Sequence, residues 1–442
     1  MRVHKLHPYI IIILSFTSVI LVGTGLLALP WAAKNGESFG FIDSLFQATS
    51  AVCVTGLSVI NVGAEMTVYG KVVMCILMEI GGLSFLTFAV FFFTIIGAKI
   101  GISNRFLLKE ALNQNSINGI VALVKKIVIT SIAIQLIGTF INMFSLMPWC
   151  DYDFFKALGY SMFHSIAAFN NAGFDAFGAN SMVQFKDDII LNASTIIMII
   201  LGGIGFIVLD EIVKKRSFKK LSLHSKITLI TTVILILFGM FMIKFSSWND
   251  VSWMQALFTS VTSRTAGFTT IEMSELSGGS YWTILILMFI GASPCSTGGG
   301  IKTTTIAIVA IAIFFFARGR KPHVFKRTIT QSEIFKAFVL FSIAIIVDLF
   351  GAFLINAIQP ELGIKETLFE AVSAFSTTGL TMGITSSLNA ANRVIICILM
   401  LFGRLGPLTV IGVINKNWMT ESKENIRYVE EKVIIGWKKV LL

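Results

Sequence analysis

Four glycines in this chain recur in one context. Gly56, Gly173, Gly267 and Gly379 stand in Ser-Ala-Val-Cys-Val-Thr-Gly-Leu (50–57), Ala-Ala-Phe-Asn-Asn-Ala-Gly-Phe (167–174), Val-Thr-Ser-Arg-Thr-Ala-Gly-Phe (261–268) and Ser-Ala-Phe-Ser-Thr-Thr-Gly-Leu (373–380). Each follows Thr or Ala, precedes Leu or Phe, and comes ten residues after a large apolar side chain: Phe46, Phe163, Leu257 or Phe369. One such stretch carries little information, but four, each between two long apolar runs, make an internal repeat. The chemistry open to these residues is that of bare backbone. Gly reaches backbone angles that other residues reach only at a cost, so it can turn its carbonyl toward an axis. A ring of carbonyl oxygens is what replaces the hydration shell of K⁺. The candidate ion-binding residues are therefore Val54, Thr55 and Gly56; Asn171, Ala172 and Gly173; Thr265, Ala266 and Gly267; and Thr377, Thr378 and Gly379. Cys53, Asn170, Arg264 and Ser376 stand one step deeper.

Each turn needs an element to carry it into the membrane and back. The apolar segments ahead of the glycines, about 43–54, 155–169, 252–263 and 366–376, have only 11 to 15 residues. At 1.5 Å per residue they cover about 16–23 Å, too short to cross ~30 Å of hydrocarbon and suited to entering and returning on one side. Longer runs flank them at roughly 8–29, 68–97, 121–147, 189–213, 225–245, 281–317, 331–358 and 391–415. The C-terminal end of a re-entrant helix carries partial negative charge and favours a cation.

The run 281–317 is broken. Residues 291–305, Gly-Ala-Ser-Pro-Cys-Ser-Thr-Gly-Gly-Gly-Ile-Lys-Thr-Thr-Thr, put four Gly and a Pro inside it. Pro removes a helix hydrogen bond and successive Gly deny helix propensity, so two helical pieces joined by an intramembrane loop are expected. Such a loop is tolerated where it lines a pore. Gly298, Gly299, Gly300 and Lys302 are candidate gating residues; a hinge without gating is the alternative. A phosphate-binding loop does not fit, because the Gly-x4-Gly-Lys-Ser/Thr spacing is not met. Arg404 lies inside another span, beside Gly403 and Gly406. A buried Arg is expensive and faces a cavity or a partner, so Arg404 is expected against the loop, the alternative being snorkelling at the helix end. Gly81-Gly82 and Gly202-Gly203 read as close helix packing.

Composition sets the class. The chain has 442 residues, 55% hydrophobic and only 13% charged, with a mean hydropathy of +0.83. A soluble domain is nearer a quarter charged. Residues 9–29 are too long for an ordinary signal-peptide core and end in a poor cleavage site, so they read as the first span. The five cysteines are scattered and have no metal-binding spacing. The net charge is +11, and its placement matters more. The segments 1–7, 98–126, 214–226, 318–336 and 416–442, with Asp210 and Glu211, hold 25 of 35 Lys+Arg and 8 of 24 Asp+Glu; the opposite loops hold 7 and 14. Positive loops stay inside, which puts both termini in the cytoplasm. The charges flank spans, so nucleic acid is not an expected partner. Membrane lipid is.

At this point the chain resembles the Trk/Ktr/HKT superfamily of K⁺ transporters, and most of all the membrane subunits of bacterial Ktr systems. The resemblance rests on the four span–loop–span units, on Thr-Ser-Arg-Thr-Ala-Gly-Phe (262–268) and Ala-Phe-Asn-Asn-Ala-Gly-Phe (168–174), and on Ser-Pro-Cys-Ser-Thr-Gly-Gly-Gly-Ile-Lys-Thr-Thr-Thr (293–305). It implies a homodimer with one pore per protomer, a gate at the broken span, and a cytoplasmic ring of nucleotide-binding regulatory subunits. Cys295 stands where that family leads one to expect Gly. The expected fold is an all-α membrane protein with four span–pore loop–span repeats in one chain around a central pore, eight full spans in all. Its parts are 1–100, 101–220, 221–325 with the loop 291–305, 326–415, and a cytoplasmic tail 416–442. The expected function is K⁺ uptake across the bacterial plasma membrane, possible Na⁺ dependence included. Na⁺ transport and organic-solute transport are the weaker alternatives. No catalytic constellation is present, so no enzyme, no cofactor and no metal other than K⁺ at the filter is expected.

Overall fold

The computed structural model describes residues 8–96, 119–178 and 181–407, with isolated positions at 101, 105, 108, 109, 409 and 412. The basic segments 1–7 and 416–442 and most of 98–118 lie outside the described residues. Among the described residues the regular structure is helical, apart from a short hairpin that pairs His323–Val324 with Arg327–Thr328.

Among the described residues four helices are long and apolar enough to cross a membrane: Tyr9–Leu27, Ile120–Trp149, Leu223–Ser246 and Gln331–Ile358. Only 28–39% of their most apolar stretches is buried inside the protein. The outward faces carry side chains such as Leu21, Ile137, Phe144, Phe241 and Phe353. Apolar surface on that scale belongs against lipid.

Each long helix is followed by a short one: Phe41–Cys53, Phe154–Phe169, Trp253–Thr262 and Ile364–Phe375. Asp153 and Ser252 cap the second and third of these, the latter in a capping box with Gln255. Caps satisfy amides that would otherwise be orphaned at the helix start. The Phe46, Phe163 and Phe369 side chains are buried, and Leu257 is partly so.

After each short helix a further apolar segment runs back: Val68–Leu83, Ile189–Ile204, Gly278–Phe289 and Ala390–Leu405. Each packs on the short helix of its own unit or closes on the next one. Val68–Leu83 touches Phe154–Phe169, Ile189–Ile204 touches Trp253–Thr262, Gly278–Phe289 touches Ile364–Phe375, and Ala390–Leu405 returns to Phe41–Cys53. The order is therefore a closed ring. An ion pair between Arg393 and Asp43 lies on the closing contact.

Two expected spans are not straight. The segments read as 68–97 and 189–213 each bend by 97°. The breaks fall at Ser84, with φ 72°, and at Gly205, with φ 100°. A left-handed residue ends the i→i−4 ladder, and the chain resumes as Phe85–Ile95 and Phe206–Lys215. Gly81, Gly202 and Gly403 sit just ahead of such turns, and a Cβ on any of them would overlap the carbonyl of Val52, Phe169 or Phe375 at the end of a short helix. These glycines bring backbone against backbone, the close approach expected of small residues in membrane helices.

Candidate functional site

The four glycine turns share one backbone conformation. Val54, Asn171, Thr265 and Thr377 have φ of 59°, 58°, 78° and 52°. Two residues on, Gly56, Gly173, Gly267 and Gly379 have φ of 91°, 69°, 83° and 88°. Two left-handed residues astride one ordinary residue is a conformation that side chains oppose and Gly permits.

The turns meet each other. A Cβ on Gly56 would lie 2.6 Å from the carbonyl oxygen of Ala172, and one on Gly173 would lie 2.6 Å from that of Ala266. On Gly267 it would strike the Thr378 oxygen, and on Gly379 the Thr55 oxygen, closer still. The carbonyls of Thr55, Ala172, Ala266 and Thr378 thus form a ring with one handedness. The amides are turned away. Thr55 N–H donates to Ser50 O at 2.8 Å, Ala172 N–H to Ala167 O at 2.8 Å, Ala266 N–H to Thr262 O at 2.9 Å and Thr378 N–H to Ser373 O at 2.9 Å. The Ser50 and Ser373 hydroxyls accept from Gly56 N–H at 3.2 Å and Gly379 N–H at 3.1 Å. With the donors spent on the short helices, the ring offers acceptors, and an acceptor ring suits a cation. All twelve candidate residues of the four turns are brought together here.

The residues one step deeper do different things. Asn170 donates to Glu79 Oε2 at 2.7 Å, and Gln135 donates to the same oxygen at 2.8 Å. Glu79 therefore ties the second turn to two neighbouring helices, a role that the sequence alone does not assign. Ser376 Oγ lies 3.0 Å from Thr378 Oγ1. Arg264 is buried, with Nη1 3.5 Å from Thr232 O. His164 packs between Phe177 and Phe268, its Nε2 2.8 Å from Thr195 Oγ1.

The break between Gly278–Phe289 and Thr303–Ala317 lies directly against the turns. A Cβ on Gly298 would overlap Thr265, one on Gly299 would overlap Thr377, and one on Gly300 would sit 3.0 Å from Ser376 Cα. Gly299 N–H donates to Thr377 Oγ1 at 3.0 Å, and Gly300 N–H to Gly403 O at 3.3 Å. On the other flank Ser293 N–H donates to Gly203 O at 3.1 Å, Thr297 N–H to Gly202 O at 3.2 Å and Thr297 Oγ1 to Phe169 O at 3.2 Å. These amides are engaged, so the segment is not a nest awaiting phosphate. Lys302 Nζ folds back on Gly298 O at 2.8 Å. Cys295 takes φ 55°, a left-handed position held by a non-Gly residue, and its carbonyl accepts from Phe206 N–H at 2.8 Å.

Arg404 reaches this segment. Its Nη1 donates to Thr297 O, and its Nη2 donates to Gly81 O and, at 2.9 Å, to Gly82 O. One guanidinium fork thereby joins the first unit, the third unit's break and the fourth unit's helix.

Asp175 follows the second turn by two residues. Its carboxylate accepts from Phe177 N–H at 3.0 Å and Gly178 N–H at 3.2 Å. Burial pushes its pKa up to about 6, against those two amides and the charge of Lys71, which pull it down. The group is ionised above that pH and neutral below it. In a cation path formed by the ring, a carboxylate two residues beyond Gly173 attracts cations only while it is ionised, so cation uptake at sub-saturating concentration is expected to fall about two- to three-fold between about pH 7.5 and 5. Asp175→Asn should start at the low level and lose that pH step; a step of unchanged size in the variant would show that another group sets it.

Comparison with known proteins gives the family and agrees with the fold. Residues 2–427 match the family model of TrkH, described as a cation transport protein. The chain is 38% identical to the Ktr system potassium uptake protein B of Bacillus subtilis over 440 residues, 97% of each chain. It is 36% identical to the potassium/sodium uptake protein NtpJ of Enterococcus hirae, over 98% of this chain and 99% of that one. The crystal structure of the potassium transporter TrkH from Vibrio parahaemolyticus superposes with a TM-score of 0.73 at 19% identity, covering 95% of this chain and 87% of that one.

Proposed function

We propose that this chain, which belongs to the TrkH family of cation transport proteins, takes up K⁺ across the plasma membrane through a selectivity filter built from its four glycine turns. It is a multi-pass membrane transporter and not an enzyme. The observation that carries the reading is the closed ring of the Thr55, Ala172, Ala266 and Thr378 carbonyls, with the neighbouring amides turned back into the short helices. The four units then supply eight spans: the four long helices, the two bent segments, the broken segment and the segment that begins at Ala390. The basic loops and both termini face the cytoplasm.

The segment 291–302 is the gate in this reading. It lies across the base of the filter and is held by Arg404, so displacing it opens the path. Its release falls to a cytoplasmic ring of nucleotide-binding subunits acting on a homodimer, as the resemblance to Ktr systems implies. The name of the Enterococcus hirae relative supports a second reading, in which K⁺ uptake depends on Na⁺.

Growth of a K⁺-uptake-deficient bacterial strain tests the proposal. Expression of this chain with a Ktr-type regulatory subunit should restore growth on low K⁺, with weaker rescue by the chain alone. Rescue that requires added Na⁺ selects the coupled reading. No rescue in cells whose membranes contain the protein would overturn K⁺ uptake.

A further inference from the structure

A groove runs down the outer surface between the helix Val68–Leu83 and the helices Ile120–Trp149 and Phe154–Phe169. It encloses about 650 Å³, within the ordinary range of small-molecule sites. Its walls are apolar, and Ile76, Leu136 and Met162 on them are half exposed, so the groove opens sideways toward hydrocarbon. Its two ends are chemically different.

At the end where the short helices begin stand Lys71, Lys156 and Tyr160. Only 7 Lys+Arg lie on that side of the protein, and two of them meet here. Lys71 Nζ sits 5.1 Å from the centroid of the Tyr160 ring, and Trp149 packs edge-on against the same ring at 5.1 Å. Exposed Tyr152, Phe154 and Phe155 continue this aromatic rim, the arrangement found at headgroup depth. Lys156 forms no ion pair among the described residues. The carboxylate nearest in charge to Lys71 is Asp175, already engaged by two amides. At the other end lie Gln135 and Glu79. Lys71 and Glu79 are eight helical steps apart, about 12 Å, close to the depth of one leaflet of a ~30 Å core.

From this we propose that the groove is a binding site for one anionic phospholipid of the leaflet on that side, with its phosphate on Lys71 and Lys156 and one acyl chain in the apolar channel. Charge complementarity at one end only, continuous apolar walls and leaflet-scale length select a lipid over a soluble anion, which would leave the walls uncovered. The foot of the groove is Glu79, the residue that receives Asn170 from the second turn. A bound chain therefore shields from water the one carboxylate that anchors that turn.

The test uses the full-length protein purified from membranes in mild detergent. Native mass spectrometry reads its retention of dioleoyl phosphatidylglycerol against dioleoyl phosphatidylcholine. The wild type should retain the anionic lipid preferentially. Lys71→Gln and Lys156→Gln should each weaken that retention about five-fold, the scale of one basic residue near an anionic headgroup, while Arg at both positions should preserve it. Gly159→Trp should expel both lipids by filling the channel; a Cβ at Gly159 meets nothing within 4 Å, so the variant has room to fold. Equal retention of the two lipids by the wild type, or undiminished retention in the lysine variants, would overturn the proposal. So would a Gly159→Trp protein that keeps the lipid but loses a dimer, since the groove would then belong to a second copy of the chain.

Discussion

Replacing Gly379 with serine should remove most of the preference for K⁺ over Na⁺ while leaving the protein in the membrane. The residue sits at φ 88°. An L side chain there carries a strain of about 1–2 kcal/mol. The larger effect is spatial. The new Cβ would overlap the Thr55 carbonyl oxygen, with Gly56 Cα 2.9 Å away. Neither is the free end of a flexible side chain, so the backbone of the first turn must shift, and its carbonyl leaves the ring. A differential loss of about 1.4 kcal/mol between the two ions is a tenfold change in preference, and an effect on that order is expected. Gly267→Ser, which would overlap the Thr378 oxygen, should behave alike. Gly56→Ser and Gly173→Ser have slightly more room, 2.6 Å to the facing oxygen, and should lose less. Paired Rb⁺ and Na⁺ fluxes in proteoliposomes measure the ratio. Unchanged ratios in monodisperse Gly379→Ser and Gly267→Ser proteins would show that the ring is not the filter.

Deleting residues 294–300 is expected to raise K⁺ flux several-fold and to weaken its dependence on a regulatory partner. The segment is held on two flanks, by Thr297 N–H on Gly202 O and by Gly299 N–H on Thr377 Oγ1. Arg404 adds a third hold through Thr297 O. A hydrogen bond to a charged donor is worth roughly 1.5–3 kcal/mol, enough to keep a gate shut and little enough for a partner to release. Arg404→Ala should therefore push flux the same way, less strongly, because the neutral hydrogen bonds remain. It also removes a positive charge from beside the path, which alone raises cation flux. Arg404→Lys keeps the charge and loses the fork. If Lys behaves like Ala, the hold is what matters. If Lys behaves like Arg, the charge is. A well-folded deletion variant with unchanged or lower flux would leave 291–302 as a hinge.

The parts of this structure that the sequence makes legible are those set by local chemistry. The short helices lie within two residues of the segments read from apolar length, and every turn glycine falls at positive φ, where the repeat places it. The parts that stay hidden depend on distant partners. Glu79 cannot be assigned from its neighbours, because Gln135 and Asn170 come from other helices, 56 and 91 residues away. Asp348 is buried in the helix Gln331–Ile358 with no hydrogen-bond partner for either carboxylate oxygen among the described residues, and nothing in its own span signals that. The 97° bends lie between these extremes. Gly81-Gly82 reads as packing, and it does pack, yet the turn that follows comes from Ser84. A signal for it exists in the spacing Gly81…Ser84, Gly202…Gly205 and Gly403…Gly406, a three-residue step repeated in three units.

The ring is closed by four unlike segments of a single polypeptide, and this changes how substitutions are dosed. In a pore assembled from identical subunits, one altered codon appears at every position around the axis, and mild damage is multiplied by the symmetry. Here an altered codon touches one quadrant. Thr55 and Thr378 bring hydroxyls to the ring where Ala172 and Ala266 bring only methyls. Each quadrant can therefore drift on its own, with three unaltered neighbours keeping the ring while the fourth is retuned. A lopsided ring, in which the third unit carries the broken segment and the fourth the arginine that reaches it, is accessible to this architecture in single steps.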